Sequence, residues 1–319
     1  MSKSLSLFAI SAFSLISSSY ASGLYINPDV YDSTNFFSKF NFFTDADPTH
    51  GYVDYQTQDQ ATQANPPLIS TSNNAVKFGA DFSSVVADGA RGRKSIRLES
   101  QATYTKGLFI ADIAHMPGSA CGSWPAFWTL GGNWPHQGEI DIIEGVNFYT
   151  QNAYTLHSAT TGNCLINNQP ASVMNGTLTA SDCGVYDSNG NYANPTGCSI
   201  KSGDTKSFGD NFNSYGGGVQ VMQWTSDYIK MWFFERNNIP ASLKAGSTVE
   251  PNICEFGRPD ATFNGCNFDT NFSAHQIIID QTFCGDFAAQ TDVYAQNSAQ
   301  CPQDCVTMVQ NNPSNYASS

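Results

Sequence analysis

Segments that alternate apolar and polar side chains recur along this chain, and helical periodicity of useful length is nearly absent. Residues 94–100, 107–113, 219–224, 228–234 and 275–280 are the clearest of them. Alternation with period two puts successive side chains on opposite faces of a strand. Asn-Gly, Asp-Gly and Gly-Gly turn formers fall between such segments, and Thr225-Ser-Asp-Tyr228 reads as a tight hairpin link. The glycines at 216–218 read as a further turn. Many strands without helices restrict the fold to an all-β sandwich or barrel. A two-sheet β-sandwich of the jelly-roll kind is expected, because one curved face then offers a concave cleft to a long ligand. No Pro/Ser/Thr tract or charge block divides residues 22–319, so they are expected to form a single domain.

The first residues carry Lys3, an apolar run and small residues ending at Ala21. This is the pattern of a secretory signal peptide over residues 1–21, too short and serine-rich to span a bilayer. No later segment is long and apolar enough to span one, and the polar end NNPSNYASS carries no lipid-anchor signal. An extracellular, secreted protein is expected. Nine cysteines suit that compartment, and most should be oxidised. Nine is odd, so at least one stands outside any internal pairing, and sequence alone assigns no partners. Cys301 and Cys305 lack the second close pair or histidine of a zinc site, so disulfides are expected there too. Asn175 and Asn271 head glycosylation motifs and are expected at the surface.

Net charge is −13 and only 13% of residues are charged. Nucleic-acid binding needs clustered Lys and Arg. The longest basic cluster, Arg91 to Lys94, lies beside glycines and reads as a solvated turn. Neither a nucleic-acid nor a membrane partner is expected, and the protein is expected to be monomeric.

The segment GEIDIIEG, residues 138–145, threads three carboxylates through isoleucines. In a regular strand Glu139 and Asp141 share a face, while Glu144, five residues after Glu139, points the other way. There it would meet the opposing sheet, a costly place for a lone carboxylate. One extra residue, a β-bulge at Ile142-Ile143, resets the alternation and turns all three acids to one groove. Glycoside hydrolysis needs two carboxyls flanking the sugar bond, roughly 5–5.5 Å apart for retention and 6.5–9.5 Å for inversion. Like charges raise the pKa of one neighbour and keep it protonated as a proton donor. A solvated edge strand and a calcium site are the alternatives. Alternating isoleucines disfavour the first, and calcium usually takes oxygens from a loop. No His-Glu-x-x-His or Gly-x-Ser-x-Gly occurs, and His50, His115, His136, His157 and His275 show no metal spacing.

This motif, with Trp124-Pro-Ala-Phe-Trp-Thr-Leu130 and Asn133-Trp134-Pro135 before it, resembles the bulged strand of glycoside hydrolase family 16. Within that family the chain resembles the fungal endo-1,3(4)-β-glucanases, or laminarinases. The likeness extends to residues 43–55, 107–117, 222–234 and 281–286, covering nearly all of residues 22–319. The resemblance implies a retaining hydrolase of β-1,3 linkages in laminarin-type glucans, and of β-1,3 or β-1,4 linkages in mixed-linkage glucans. It implies Glu139 as nucleophile, Glu144 as acid/base, Asp141 as auxiliary acid and His157 as their partner on the adjacent strand. A cell-wall transglycosylase and a non-catalytic, lectin-like glucan-binding sandwich are the other readings. No cofactor is required and no metal ligands are assigned; a structural calcium stays open.

Indole rings match the apolar CH faces of a glucan, and their N–H groups reach hydroxyls. Trp124, Trp128 and Trp134 precede the acid motif and are candidate sugar platforms, each with a core position as its alternative. Trp224 and Trp232 lie in the hairpin, and Trp232 reads as core. Where the fungal relatives tend to read Cys-Gly-Asp-Trp, this chain reads Cys284-Gly-Asp-Phe287. Phe287, a fourth candidate platform, therefore offers sugar a smaller face.

Overall fold

Each of the period-two segments contributes to a strand in the structure, a computed structural model that describes residues 29–72, 75–244 and 253–317. The expected signal peptide lies outside the described residues. Among the described residues the larger sheet has nine strands, and its central run is His275–Phe283, Ser123–Gly131, Glu139–Glu144 and Ala153–Thr160, each antiparallel to the next. The second sheet runs Ala261–Phe263, Ile229–Glu235, Gly218–Trp224, Gly107–Ile113, also antiparallel throughout. The Thr225–Tyr228 link is the tight hairpin expected, closed by Thr225 N–H donating to the Tyr228 carbonyl at 2.9 Å.

The two sheets face each other across one apolar layer. Ile140, Ile142, Tyr154, Leu156 and Ile200 from the larger sheet pack with Met222, Trp224, Ile229, Met231 and Phe263 from the smaller. Burying such side chains contributes about 1.5–3 kcal/mol each. The chain is thus the jelly-roll sandwich expected. Trp224 and Trp232 are both core residues. Among the described residues no helix is long and apolar enough to cross a membrane. The helices are caps and connectors, as at Gln58–Gln63, where Thr57 and Gln60 form a capping box.

Four disulfides staple the sandwich: Cys121–Cys301, Cys164–Cys266, Cys183–Cys198 and Cys284–Cys305. Cys254 stands outside the four bridges and is exposed. Cys301 and Cys305 are disulfide-bonded as expected, to different partners. Cross-links of this kind stabilise by restricting the unfolded chain. Asn175 is exposed and Asn271 half-buried.

The basic cluster departs from its reading as a solvated turn. Arg91 and Lys94 are exposed, but Arg93 is wholly buried. Its guanidinium donates to the carbonyls of Asp81 at 2.7 Å and of Val309 at 3.2 Å, and lies over the Tyr316 ring at 4.8 Å. Val309 belongs to the helix Cys305–Asn311, so the arginine satisfies carbonyls that this C-terminal helix cannot pair internally. Charge count in a short window carries no information about that distant partner.

The connection into the acid-bearing strand is built tightly. His275 Nε2 donates to the Gln137 carbonyl at 2.7 Å and its neutral ring's Nδ1 accepts from Thr129 Oγ1 at 2.8 Å, pinning residues 131–138. Gly138 has φ +81°, and a Cβ there would lie 2.3 Å from the Phe272 ring. Only glycine fits this approach. Replacing Arg93 by leucine should lower stability by about 2–4 kcal/mol, because buried carbonyls lose their donor. Thermal unfolding followed by far-UV circular dichroism measures this; an unchanged melting temperature would contradict the anchoring role.

Candidate active site

The strand Glu139–Glu144 contains the bulge that its acid spacing demands. Against the strand Ser123–Gly131, Trp128 pairs with Asp141 and Phe127 with Ile143, leaving Ile142 as the extra residue. Ile140 and Ile142 enter the inter-sheet layer, and Ile143 enters a neighbouring apolar cluster with Phe208 and Phe233. Two consecutive isoleucines therefore face inward, and Glu139, Asp141 and Glu144 line one cavity on the outer face of the larger sheet.

Each acid is held by specific partners. Trp134 donates its indole N–H to Glu139 Oε2, and Trp124 donates to Glu144 Oε1 at 3.1 Å. His157 lies opposite Glu139 on the strand Ala153–Thr160, with Nε2 3.6 Å from Asp141 Oδ2. Two further carboxyls, Asp47 and Asp280, line the cavity; Asp280 accepts from Trp128 Nε1 and from the Tyr55 hydroxyl, both at 2.8 Å. Arg97 is the one cation lining this cavity among the described residues; its guanidinium packs over Phe43 and Trp128 and pairs with Glu99.

Burial of so many acids around one cation shifts their titration. Burial raises Glu139 to about 7, opposed by the hydrogen bonds from Trp134 and Asp141 and by the charge of Arg97. Burial raises Glu144 to about 7, opposed by His157 and reinforced by Glu139. Asp280 is raised to about 6, again by burial, with Arg97 and its two donors opposing. Asp141 goes furthest: burial, then the charges of Glu139 and Glu144, hold it well above the carboxylate range. A protonated Asp141 donating to Glu139 leaves the negative charge on Glu139. Burial lowers His157, which favours the neutral imidazole.

Of the expected platforms, Trp124 lines the cavity with one edge engaged by Glu144, and Trp134 stands exposed at its rim. Trp128 is 91% buried, between Arg97 and Asp280, so most of its ring is closed to a sugar. It orients the floor of the cavity. Phe287 is half-buried and meets Trp124 edge-on at 5.6 Å, with Tyr149 at 6.2 Å. Tyr186 and Tyr192 extend an aromatic row from Trp134, at 6.5 and 5.9 Å between successive centroids. Sequence reading missed these tyrosines, together with Asp280, Arg97 and Tyr55. Alternation within His275–Asp280 could have put Asp280 on the face opposite the core, but nothing in the sequence said what lay beside it.

Glu139, Asp141 and His157 each bring one donor atom within 4.8 Å of the others, near enough to share a cation. One Glu139 oxygen takes the Trp134 N–H and Glu139 also hydrogen-bonds Asp141, whereas Asp141 Oδ2 has no hydrogen-bond partner.

Residues 40–319 match the family profile described as XgeA-like, catalytic GH16 domain. A probable endo-1,3(4)-β-glucanase of Aspergillus fumigatus is 43% identical over 295 residues, covering 90% of this chain and 42% of the relative. The chain thus spans less than half the length of that relative. Laminarinase 16A of Phanerochaete chrysosporium, solved with 6-O-glucosyl-laminaritriose in donor and acceptor sites, is 38% identical with a TM-score of 0.82. The alignment covers 92% of this chain and 95% of that one. An elongating GH family 16 β-1,3-glucosyltransferase is 40% identical with a TM-score of 0.80, over 91% and 95% of the two chains.

A carboxyl whose pKa is raised by folding binds more protons in the native than in the unfolded state. Stability then falls as pH rises from the unfolded value towards the folded one, and the loss is complete above it. For Glu144 that window runs from about 4.5 to about 7. Glu144→Gln, which removes the buried charge, should be more stable than the parent at pH 8 by on the order of 2–3 kcal/mol and little different at pH 4. Melting temperatures at the two pH values test this, and an equal difference at both would contradict it.

Proposed function

The chain belongs to glycoside hydrolase family 16, and from that premise we propose that residues 22–319 act as a secreted, retaining endo-β-glucanase domain. Its substrates are β-1,3-linked glucans of the laminarin type and β-1,3 or β-1,4 linkages in mixed-linkage glucans. One observation carries the reading: the bulge at Ile142 brings Glu139 and Glu144 to a single cavity with a protonatable Asp141 between them. Glu139 attacks the anomeric carbon as its carboxylate, the form that a proton on Asp141 favours. Glu144, whose pKa burial draws up to about 7, gives its proton to the leaving glycosidic oxygen and later takes one from water. Trp124 occupies one oxygen of Glu144 and leaves the other for that transfer. Neutral His157 stands with Nε2 3.6 Å from Asp141 Oδ2, beyond hydrogen-bond reach, and adds no positive charge to the site.

Trp134, Tyr186 and Tyr192 offer rings to sugar faces at the rim, and Phe287 contributes a smaller ring beside Trp124. Four disulfides support an oxidising, extracellular setting. A second reading, transfer of the glucosyl group to another glucan chain, is favoured by the likeness to the elongating glucosyltransferase. It uses the same covalent intermediate and differs only in whether water or a sugar hydroxyl accepts.

Glu139→Gln and Glu144→Gln should each lower kcat/KM on laminarin roughly 10²–10⁴-fold, measured as reducing-sugar release. Near-parental turnover by either variant would remove the proposal. In the parent, kcat/KM should decline above about pH 7 as Glu144 deprotonates, and that limb should vanish in Glu144→Gln. Product mass spectra on laminarin, lichenan and cellulose separate hydrolysis from transfer: oligomers longer than the substrate mark the transferase.

A further inference from the structure

The bulge that aims Glu144 leaves backbone groups without a strand partner, and one buried side chain takes them. Pairing between Glu139–Glu144 and Ala153–Thr160 runs only from His157–Glu139 to Thr155–Asp141. Beyond that point the Ile142 carbonyl and the Glu144 N–H have lost their ladder. Asn152, the residue just before Ala153–Thr160, meets both: its Nδ2 donates to the Ile142 carbonyl at 2.7 Å, and its Oδ1 accepts from Glu144 N–H at 2.8 Å. A carboxamide presents one donor and one acceptor side by side, as a peptide group does, so it substitutes for the missing strand. A bulge normally leaves such groups to water, but Asn152 is wholly buried.

Asn152 is itself fixed. Its N–H donates to Ser207 Oγ at 2.9 Å, its carbonyl accepts from Ser202 N–H at 2.8 Å, and Ser207 Oγ donates to the Asp204 carbonyl at 2.6 Å. The loop 202–207 thereby holds the amide, and the amide holds the backbone of Glu144. The side chain touches no reacting atom.

We propose that Asn152 is the positioning residue of the acid/base: its amide sets the bulge and so the direction of the Glu144 carboxyl, while Glu139 and Asp141, on the regular part of the strand, stay where they are. This rests on the reading of Glu144 as acid/base. Displacing an acid by about 1 Å can cost on the order of 10²-fold in rate. The loss should depend on the leaving group, because a dinitrophenolate departs without a proton whereas a sugar alkoxide does not.

The test compares kcat/KM on laminarin and on a dinitrophenyl β-laminarioligoside for the parent, Asn152→Ala, Asn152→Asp and Glu144→Gln. Asn152→Ala should lose roughly 10–10²-fold on laminarin and less than about threefold on the aryl glycoside. Azide, which displaces the glycosyl group from Glu139 as the glycosyl azide without a base, should raise its kcat on the aryl glycoside. Asn152→Asp keeps the shape but donates to the Ile142 carbonyl only when protonated, so its laminarin activity should recover towards the parent as pH falls. This variant carries the test if Asn152→Ala does not fold, as judged by circular dichroism. Equal losses on both substrates, or parental activity on laminarin, would overturn the proposal. If Glu144→Gln itself shows no leaving-group dependence, the acid/base assignment falls, and Asn152 with it. If Glu144→Gln shows that dependence and the Asn152 variants do not, only the positioning role falls.

Discussion

One residue too many in a strand organises this molecule. Side chains on a pleated strand alternate strictly, so acids at positions 139, 141 and 144 cannot share a face without an irregularity between the second and third. Ile142 supplies it, and the consequence is double. Ile142 and Ile143 both turn to the interior and fill apolar clusters, while Glu144 joins Glu139 and Asp141 outside. Core packing and cleft chemistry are thus two faces of the same backbone distortion. Neither could be kept if the strand were regular.

The cleft holds its charge by an unusual balance. Asp47, Glu139, Asp141, Glu144 and Asp280 line it with Arg97 as the one lining cation among the described residues. The compensation comes from neutral donors: Trp134 on Glu139, Trp124 on Glu144, Trp128 and Tyr55 on Asp280. Indole and phenol donors stabilise an anion without cancelling its charge, so burial still drives the acids upward in pKa. Glu139, Glu144 and Asp280 are consequently drawn to between about 6 and about 7, the range in which a carboxyl can serve as either acid or base near neutrality. The tryptophans that looked like sugar platforms thus divide their work. Trp128 is nearly all scaffold, Trp124 has one edge committed to an acid, and Trp134 keeps its face exposed at the rim.

Around that centre the fold supplies rigidity from distant parts of the chain. The C-terminal helix is tied by Cys284–Cys305 and by Arg93, and the turn before the acid strand by His275 and Gly138. The bulge is tied by Asn152 to the loop 202–207. Preorganisation of this kind matters because catalysis depends on sub-ångström placement of the reacting groups, and loosely held carboxyls would drift apart under their mutual repulsion.

How much of this was legible beforehand follows from the range of the interactions. Local alternation marked the strands, the Thr225–Tyr228 turn marked its hairpin, and the spacing E-x-D-x-x-E marked the bulge, because each is decided within a few residues. The number of cysteines announced disulfides for the same reason that it could not pair them: composition counts thiols, whereas pairing needs distances between residues as far apart as 121 and 301. Arg93 read as solvated because its partners, Asp81 and Val309, lie far off in sequence. Asp280, Tyr55 and Arg97 went unread because their meeting is set by sheet order, which places strands distant in the chain side by side. The sequence by itself determined which acids must share a face; only the tertiary structure decided which donors, cation and amide surround them, since those contacts exist only once non-adjacent strands have packed.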